Sequence, residues 1–313
     1  MDTRSLLSFA RIKPLAAWSL SGGLLGTALA IQLAGGQELY LVPMLLAILC
    51  VVLMQYVAHP MNDIMDLELD GRAAITATGR VKPIVDGAVT VREAKLLSVV
   101  VVSAIIVLIA MLVAMRPVLI FPAAYGMAAL IGYNHPSLRW AYKPFTELYL
   151  SMPINAISVA VIAFIGSGHL TGAAVIMALA FGFASSAFFV SMMSMDYRSD
   201  RENGKRTTVV AFPRFRWCTY YPMIGLAVAL IGTLIVWEEM GPSTAVAFII
   251  LSTAAFTLLA WLGKKADDIR LTDAGANDDV PEAASGRYRL RQLYISVIYA
   301  TLLSAVLVLI GRV

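Results

Sequence analysis

Long apolar segments alternate with short polar ones along almost the whole chain. A helix needs about 20 apolar residues to cross the hydrocarbon layer of a membrane, at a rise of about 1.5 Å per residue. These segments are apolar throughout and lack the period of two that the wall of a transmembrane β-barrel shows. The pattern therefore predicts nine membrane-spanning helices, at 15–34, 41–59, 97–115, 118–135, 148–166, 172–193, 218–237, 243–262 and 292–311.

The composition supports an integral membrane protein. Of the 313 residues, 59% are hydrophobic and 14% are charged, whereas a soluble protein has about 45–50% apolar and about 25% charged residues. This excess excludes a water-soluble enzyme and a disordered chain. The two cysteines, Cys50 and Cys218, lie in or beside apolar segments, which excludes a disulfide-stabilised secreted domain. We expect an all-α membrane protein that forms a single domain over residues 1–313.

The distribution of positive charge predicts the orientation. Of the 24 Lys and Arg residues, all except Arg116 and Arg312 lie before the first span or in loops that follow even-numbered spans. Because positive residues stay on the cytoplasmic side, we expect the N-terminus and the long loops to be cytoplasmic. The net charge of +4 then reflects topology and does not indicate nucleic-acid binding. The polar segment 266–286 is predicted to be a flexible loop without a chemical role.

Two acidic clusters follow the second and sixth spans. In a helical conformation, the spacing within each cluster places its polar side chains on one stripe. Either cluster alone is typical of a solvated loop, but two such clusters on one face would repel each other unless cations held them together, and carboxylate oxygens suit Mg²⁺. The clusters comprise Asn62, Asp63, Asp66 and Asp70 after the second span, and Asp196, Asp200 and Asn203 after the sixth.

These residues resemble the motifs of the UbiA superfamily of intramembrane prenyltransferases. The stretch from Asn62 to Asp70 is similar to the family's NDxxDxxxD motif, with the remaining similarity extending from residue 11 to about residue 215. Lys82 stands where the family usually has Arg, and Asn134 where Ser or Thr is common. The other matching stretches are Asp196-x-x-x-Asp200 with Gly204-Lys205-Arg206-Thr207, Tyr133-Asn134-His135-Pro136-Ser137-Leu138-Arg139 with Lys143 and Glu147, and Lys82-Pro83-Ile84 with Gly87.

The resemblance implies a fold and a site. The fold would be nine helices around a central cavity with capping loops on the cytoplasmic side. The substrate would be an isoprenoid diphosphate whose head binds two Mg²⁺ ions between the clusters, while the apolar interior or the lipid holds the prenyl tail. The implied metal ligands are Asn62, Asp63, Asp66, Asp70, Asp196 and Asp200. The implied diphosphate-binding residues are Arg72, Lys82, Arg139, Lys143, Lys205 and Arg206.

The sequence does not identify the acceptor of the isoprenoid group. The family most often uses an electron-rich aromatic ring or a quinone precursor. Glu147 is a candidate for orienting the acceptor or accepting its proton, with an ion pair to Lys143 as the alternative. Tyr133 could bind phosphate or shield a carbocation, or it could be an ordinary interfacial tyrosine. A terpene cyclase of the same family and a secondary transporter are the alternative functions, and transporter sites usually lie nearer the membrane midplane.

Overall fold

The computed structural model describes residue 9 and residues 11–67, 83–85, 87–273 and 282–310. Side chains of a few residues inside these ranges, including 282–286, are left undescribed. Three predicted site residues, Asp70, Arg72 and Lys82, lie outside the described residues.

In the described part of the chain, nine helices are long and apolar enough to cross a membrane. This confirms the predicted number of spans and the all-helical fold class. The helices are α1 (Lys13–Ala34), α2 (Leu41–Met65), α3 (Val91–Met115), α4 (Pro117–Asn134), α5 (Glu147–Ser167), α6 (Gly172–Met195), α7 (Trp217–Ile235), α8 (Pro242–Asp273) and α9 (Glu282–Ile310).

Helix α6 lies at the centre of the bundle. Of its most apolar 18-residue stretch, 78% is buried inside the protein, more than in any other described span. Gly182 allows α6 to approach α5 closely, since a Cβ atom there would lie 2.7 Å from the carbonyl oxygen of Met152. By contrast, large apolar side chains on the periphery are exposed, among them Phe121 at 74% and Leu309 at 79%. Such a surface is suited to lipid rather than to water.

Short helices cover one end of the bundle. Trp140–Tyr142 lies between α4 and α5, and both Tyr197–Glu202 and Thr208–Ala211 lie between α6 and α7. The end of α2 reaches the same region. We call this end the motif face, because both acidic motifs lie there.

The prediction of a flexible loop over 266–286 is wrong for most of that segment. Helix α8 continues to Asp273, and α9 begins at Glu282. The extra turns of α8 are held by charged side chains rather than by apolar ones. Asp267 is completely buried and accepts hydrogen bonds from the backbone N–H groups of Cys218 and Thr219 and from the Thr219 hydroxyl. It thereby satisfies N–H groups in the first turn of α7, which have no partner within that helix.

Candidate functional site

The first motif lies at the end of α2. Asn62 and Asp63 belong to its last turn, and Asp66 ends the helix, with its backbone N–H bonded to the Asn62 carbonyl at 2.9 Å. The Asn62 side-chain amide also donates to Asp66 Oδ2 at 3.3 Å. Asp63 is 1% exposed and Asp66 is 4% exposed. Burial of two carboxylates so close together requires strong compensation by cations or hydrogen-bond donors.

The second motif lies where α6 passes into the short helix Tyr197–Glu202. Asp196 occupies the junction, and the Asp200 N–H donates to its carbonyl at 2.7 Å, so the two side chains follow one helical turn. The chain then reverses at Gly204, whose φ of +71° favours glycine. This turn allows the Lys205 N–H to donate to the Asp200 carbonyl at 2.7 Å.

Lys205 connects the two motifs. Its Nζ lies 3.5 Å from Asp66 Oδ2 and 3.9 Å from Asp200 Oδ1. A single ammonium group is therefore within ion-pair distance of one carboxylate from each motif. Tyr142 reinforces the connection: its hydroxyl donates to Asp66 Oδ1 at 2.6 Å, and its ring centroid lies 4.7 Å from Lys205 Nζ. The structure therefore brings together acidic residues that are separated by four helices along the chain.

Two arginines pair with the remaining acidic residues. Arg11, just before α1, places Nη2 2.7 Å from Asp63 Oδ1. Arg289, in α9, places Nη2 3.0 Å from Asp196 Oδ1. Sequence reasoning missed both as site residues, along with Tyr142. The only sequence signal of Arg11 and Arg289 is that they belong to the basic group flanking the spans on the motif face.

Asp200 is the motif residue with the clearest electrostatic perturbation. Burial raises its pKa to about 7, and the negative charges of Asp196 and Asp66 also raise it, while Lys205 and a hydrogen bond from Thr207 act in the opposite direction. Burial and the neighbouring carboxylates thus disfavour the charged form of Asp200, and a bound divalent cation would offset both effects.

The donor chemistry of the motifs fits Mg²⁺. In the described residues, no three His, Cys, Asp or Glu side chains are grouped closely enough to hold an ion by themselves. Mg²⁺ does not need such a group, because it is usually bound by one or two carboxylates together with water and phosphate oxygens. Buried Asp66 and Asp200, which both lie beside the Lys205 ammonium, provide carboxylates of this kind.

The other predicted basic residues lie around the motifs. Arg139, Lys143 and Arg206 are exposed at the motif face. Arg139 lies over the ring of Tyr142, with Cζ 5.5 Å from the centroid, and the Arg206 N–H donates to the Tyr142 carbonyl at 3.0 Å. We call these three exposed residues the rim of the motif face; the described ion pairs of the motif carboxylates involve Arg11, Lys205 and Arg289 instead.

Tyr133 and Glu147 differ in their surroundings. Tyr133, near the end of α4, is half-buried and lies within electrostatic reach of Asp66, Asp200 and Arg11. Glu147, at the start of α5, is completely buried and accepts a hydrogen bond from Thr208 Oγ1 at 2.7 Å, while its Oε1 has no partner among the described residues. The alternative interpretation, an ion pair between Glu147 and Lys143, is wrong, since the described contact of the Glu147 carboxylate is with Thr208 and its other oxygen has no described partner.

A comparison with known families identifies the chain. The model of the UbiA prenyltransferase family matches residues 23–275, which include both acidic motifs. The chain belongs to the UbiA prenyltransferase family. The resemblance inferred from the motifs is thereby confirmed, although Arg11 and Arg289 lie outside the matched range. Among curated proteins, none matches the chain.

Solved structures share the fold. A UbiA homologue from Archaeoglobus fulgidus, bound to GPP and Mg²⁺, has a TM-score of 0.58 at 15% identity, covering 96% of this chain and 99% of that one. A digeranylgeranylglyceryl phosphate synthase has a TM-score of 0.61 at 14% identity, with coverages of 97% and 98%. The apo form of a homologue from Aeropyrum pernix K1 has a TM-score of 0.58 at 17% identity, with coverages of 91% and 96%. At these identities the likeness shows the fold alone.

Proposed function

We propose that this protein is a Mg²⁺-dependent intramembrane prenyltransferase that moves an isoprenoid group from a prenyl diphosphate to an acceptor. The observation that carries the proposal is the meeting of the two buried acidic motifs at Lys205. Family membership supports the reaction class, and the Archaeoglobus homologues bound to GPP or DMAPP with Mg²⁺ support the substrate class and the cofactor. Membership of an enzyme family also argues against the alternative of a secondary transporter.

The acidic motifs are the proposed metal site. Asn62, Asp63, Asp66, Asp196 and Asp200 would hold the ions, and Asp70 is proposed from the motif alone. Bound Mg²⁺ would neutralise the charge that develops on the departing diphosphate. The residues of the chain itself would position that diphosphate at the motif face.

Lys205 is the principal proposed ligand of the diphosphate. Its ammonium already lies beside carboxylates of both motifs. The ring of Tyr142 stabilises it through a cation–π contact. The exposed rim of Arg139, Lys143 and Arg206 would attract and retain the anionic substrate through charge-assisted hydrogen bonds. Arg72 and Lys82 belong to the same proposal on sequence grounds only.

Exclusion of water is the second task of the protein. The bond between C1 of the prenyl group and the diphosphate oxygen breaks, its electron pair leaves with the diphosphate, and C1 carries the positive charge until the acceptor attacks it. The apolar helices that bury Glu147 would also keep water from that cation. Tyr133, beside both motifs, is proposed to shield it.

An aromatic or quinone-precursor acceptor is the proposed partner. Attack on C1 by such a ring requires loss of a ring proton, and Glu147 is the proposed acceptor of that proton or the group that orients the ring. Its Oε1 atom is buried and has no hydrogen-bond partner in the part of the chain that the structure describes, so it is available to a bound molecule. The lipid bilayer would receive the prenyl tail.

The orientation and extent of the protein are also proposed. The distribution of Lys and Arg supports a cytoplasmic N-terminus and motif face. Contacts of α9 with the end and the middle of α6, from Arg289 to Asp196 and from the Ser296 hydroxyl to the Ala184 carbonyl, support a single domain over residues 1–313.

Product analysis tests the proposed function. Purified protein is incubated with Mg²⁺, a panel of prenyl diphosphates, and either phenolic acids, a prenylglyceryl phosphate or no acceptor, and products are identified by mass spectrometry. A prenylated aromatic product supports the proposal. A hydrocarbon or terpene alcohol formed without acceptor would favour a cyclase, a prenylated glyceryl phosphate would replace the aromatic acceptor, and no consumption of any diphosphate would overturn the proposal.

A further inference from the structure

Arg289 is a buried cation at the second acidic motif, contributed by the last helix of the chain. The residue is 5% exposed, and its Nη2 donates to Asp196 Oδ1 at 3.0 Å. Arg289 lies 93 positions from Asp196 in the sequence and outside the range matched by the family model. Helix α9 therefore reaches the site through a side chain that neither motif includes.

Part of the Arg289 guanidinium is buried without an acceptor. Among the described residues, its Nε has no hydrogen-bond partner. A buried donor without a partner is costly, especially when it carries charge. Since Nε and the Nη atoms belong to one planar group, the unpartnered donor is adjacent to the donor that contacts Asp196. A ligand bound beside Asp196 would lie within reach of both.

The chemistry of such a ligand follows from the charges around it. A guanidinium presents pairs of parallel N–H groups that match the oxygens of phosphates and carboxylates. When Asp196 coordinates a cation, its oxygens become less available to Arg289, which is then a buried charge that needs another anion. In the proposed reaction, the anion brought to this place is the diphosphate.

We propose that Arg289 binds an oxygen of the substrate's diphosphate, so that the ninth helix completes the diphosphate site. This inference rests on the proposed function. Arg289 would hold Asp196 when no substrate is bound and would contact the substrate head in the complex. It would thus add a buried positive charge to those of Lys205 and Arg11 around the motifs.

Steady-state kinetics on the full-length protein test the inference. The variants are R289M, R289K and a matched control, R291M, which removes an exposed arginine from the same helix. We measure KM for the prenyl diphosphate and the inhibition constant of inorganic pyrophosphate, both with Mg²⁺ present. R289M is expected to raise both constants together by about 10- to 100-fold, since a hydrogen bond to a charged group is lost. R289K should be intermediate, and R291M should match the wild type.

Two results would overturn the inference. One is an R289M protein with wild-type values of both constants. The other is a lower kcat with both constants unchanged, which would show that Arg289 only orients Asp196. If R289M does not give monodisperse protein, R289K decides: a rise of about threefold or more in both constants is expected, and wild-type values refute the role.

The inference can fail separately from the proposed function. Wild-type protein that consumes no prenyl diphosphate refutes the function. Binding of pyrophosphate with Mg²⁺ can still be measured by titration calorimetry, and equal affinities of wild type and R289M would refute the role of Arg289.

Discussion

Lys205 shows how much of the candidate site depends on a single side chain. Its ammonium contacts carboxylates from both motifs and lies over the Tyr142 ring. The sequence predicts its participation because it follows the second motif directly, but the contact with Asp66 could not be predicted, since the turn at Gly204 and the fold of the α4–α5 connection decide it.

Replacing Lys205 by methionine should weaken substrate use. The variant keeps the aliphatic stem but removes the charge that faces the diphosphate, so kcat/KM for the prenyl diphosphate should fall at least about tenfold. The control is Lys265→Met, which removes an exposed lysine from α8 and should leave kcat/KM unchanged. Equal values of kcat/KM for the two variants would show that Lys205 does not take part in binding the diphosphate.

Asp200 should make the stability of the metal-free protein dependent on pH. Its pKa is about 7 in the folded protein and about 4 in an unfolded chain. Because the folded state disfavours the ionised form, the contribution of Asp200 to stability is fully present below about pH 4 and is lost as the pH rises towards 7. Thermal unfolding in detergent with EDTA should show a decline over this range that is shallower in D200N. Parallel curves for the two proteins would contradict this prediction.

At the scale of elements, hydropathy predicts the apolar part of each helix, but it does not predict where the helices end. The predicted second and eighth spans end at 59 and 262, whereas α2 reaches Met65 and α8 reaches Asp273. The additional turns carry buried charges. Asp267 is stable inside α8 because it binds the start of α7 and lies 3.5 Å from Arg270. Helical spacing reveals the pair with Arg270 once a helix is assumed there, but the contact with α7 is 48 positions away, so the sequence alone does not reveal it.

Removal of Asp267 should destabilise the protein. In D267A, the first turn of α7 loses its acceptor and Arg270, 1% exposed, becomes an unpaired buried cation, which costs about 3–5 kcal/mol of unfolding free energy. The control is D268A, which breaks the partly exposed pair between Arg216 and Asp268 and should cost at most about 1 kcal/mol. Thermal unfolding in detergent measures both changes. A D267A protein as stable as D268A would show that the contact with α7 contributes little.

At the scale of the whole molecule, the helical bundle brings two distant acidic motifs to one face. Span counting predicts this correctly, because both motifs follow even-numbered spans and must end on the same side. The counter-ions of the motifs, in contrast, are not predicted by span counting. Arg11 and Arg289 come from the two ends of the chain, and their pairing with Asp63 and Asp196 depends on how α1 and α9 pack beside α2 and α6. Periodicity and motif spacing contain no information about that packing.

A diphosphate site shared by the two motifs is tested most directly by the Mg²⁺-dependent release of pyrophosphate from a prenyl diphosphate by D66A and D196A, one variant from each motif. The control is E202A, which removes a carboxylate that is 65% exposed on the same short helix as Asp200. If both motifs hold one substrate head, each Asp variant should lose at least about 100-fold in kcat, and E202A should retain wild-type turnover. Turnover at the wild-type rate in both D66A and D196A would contradict a shared diphosphate site.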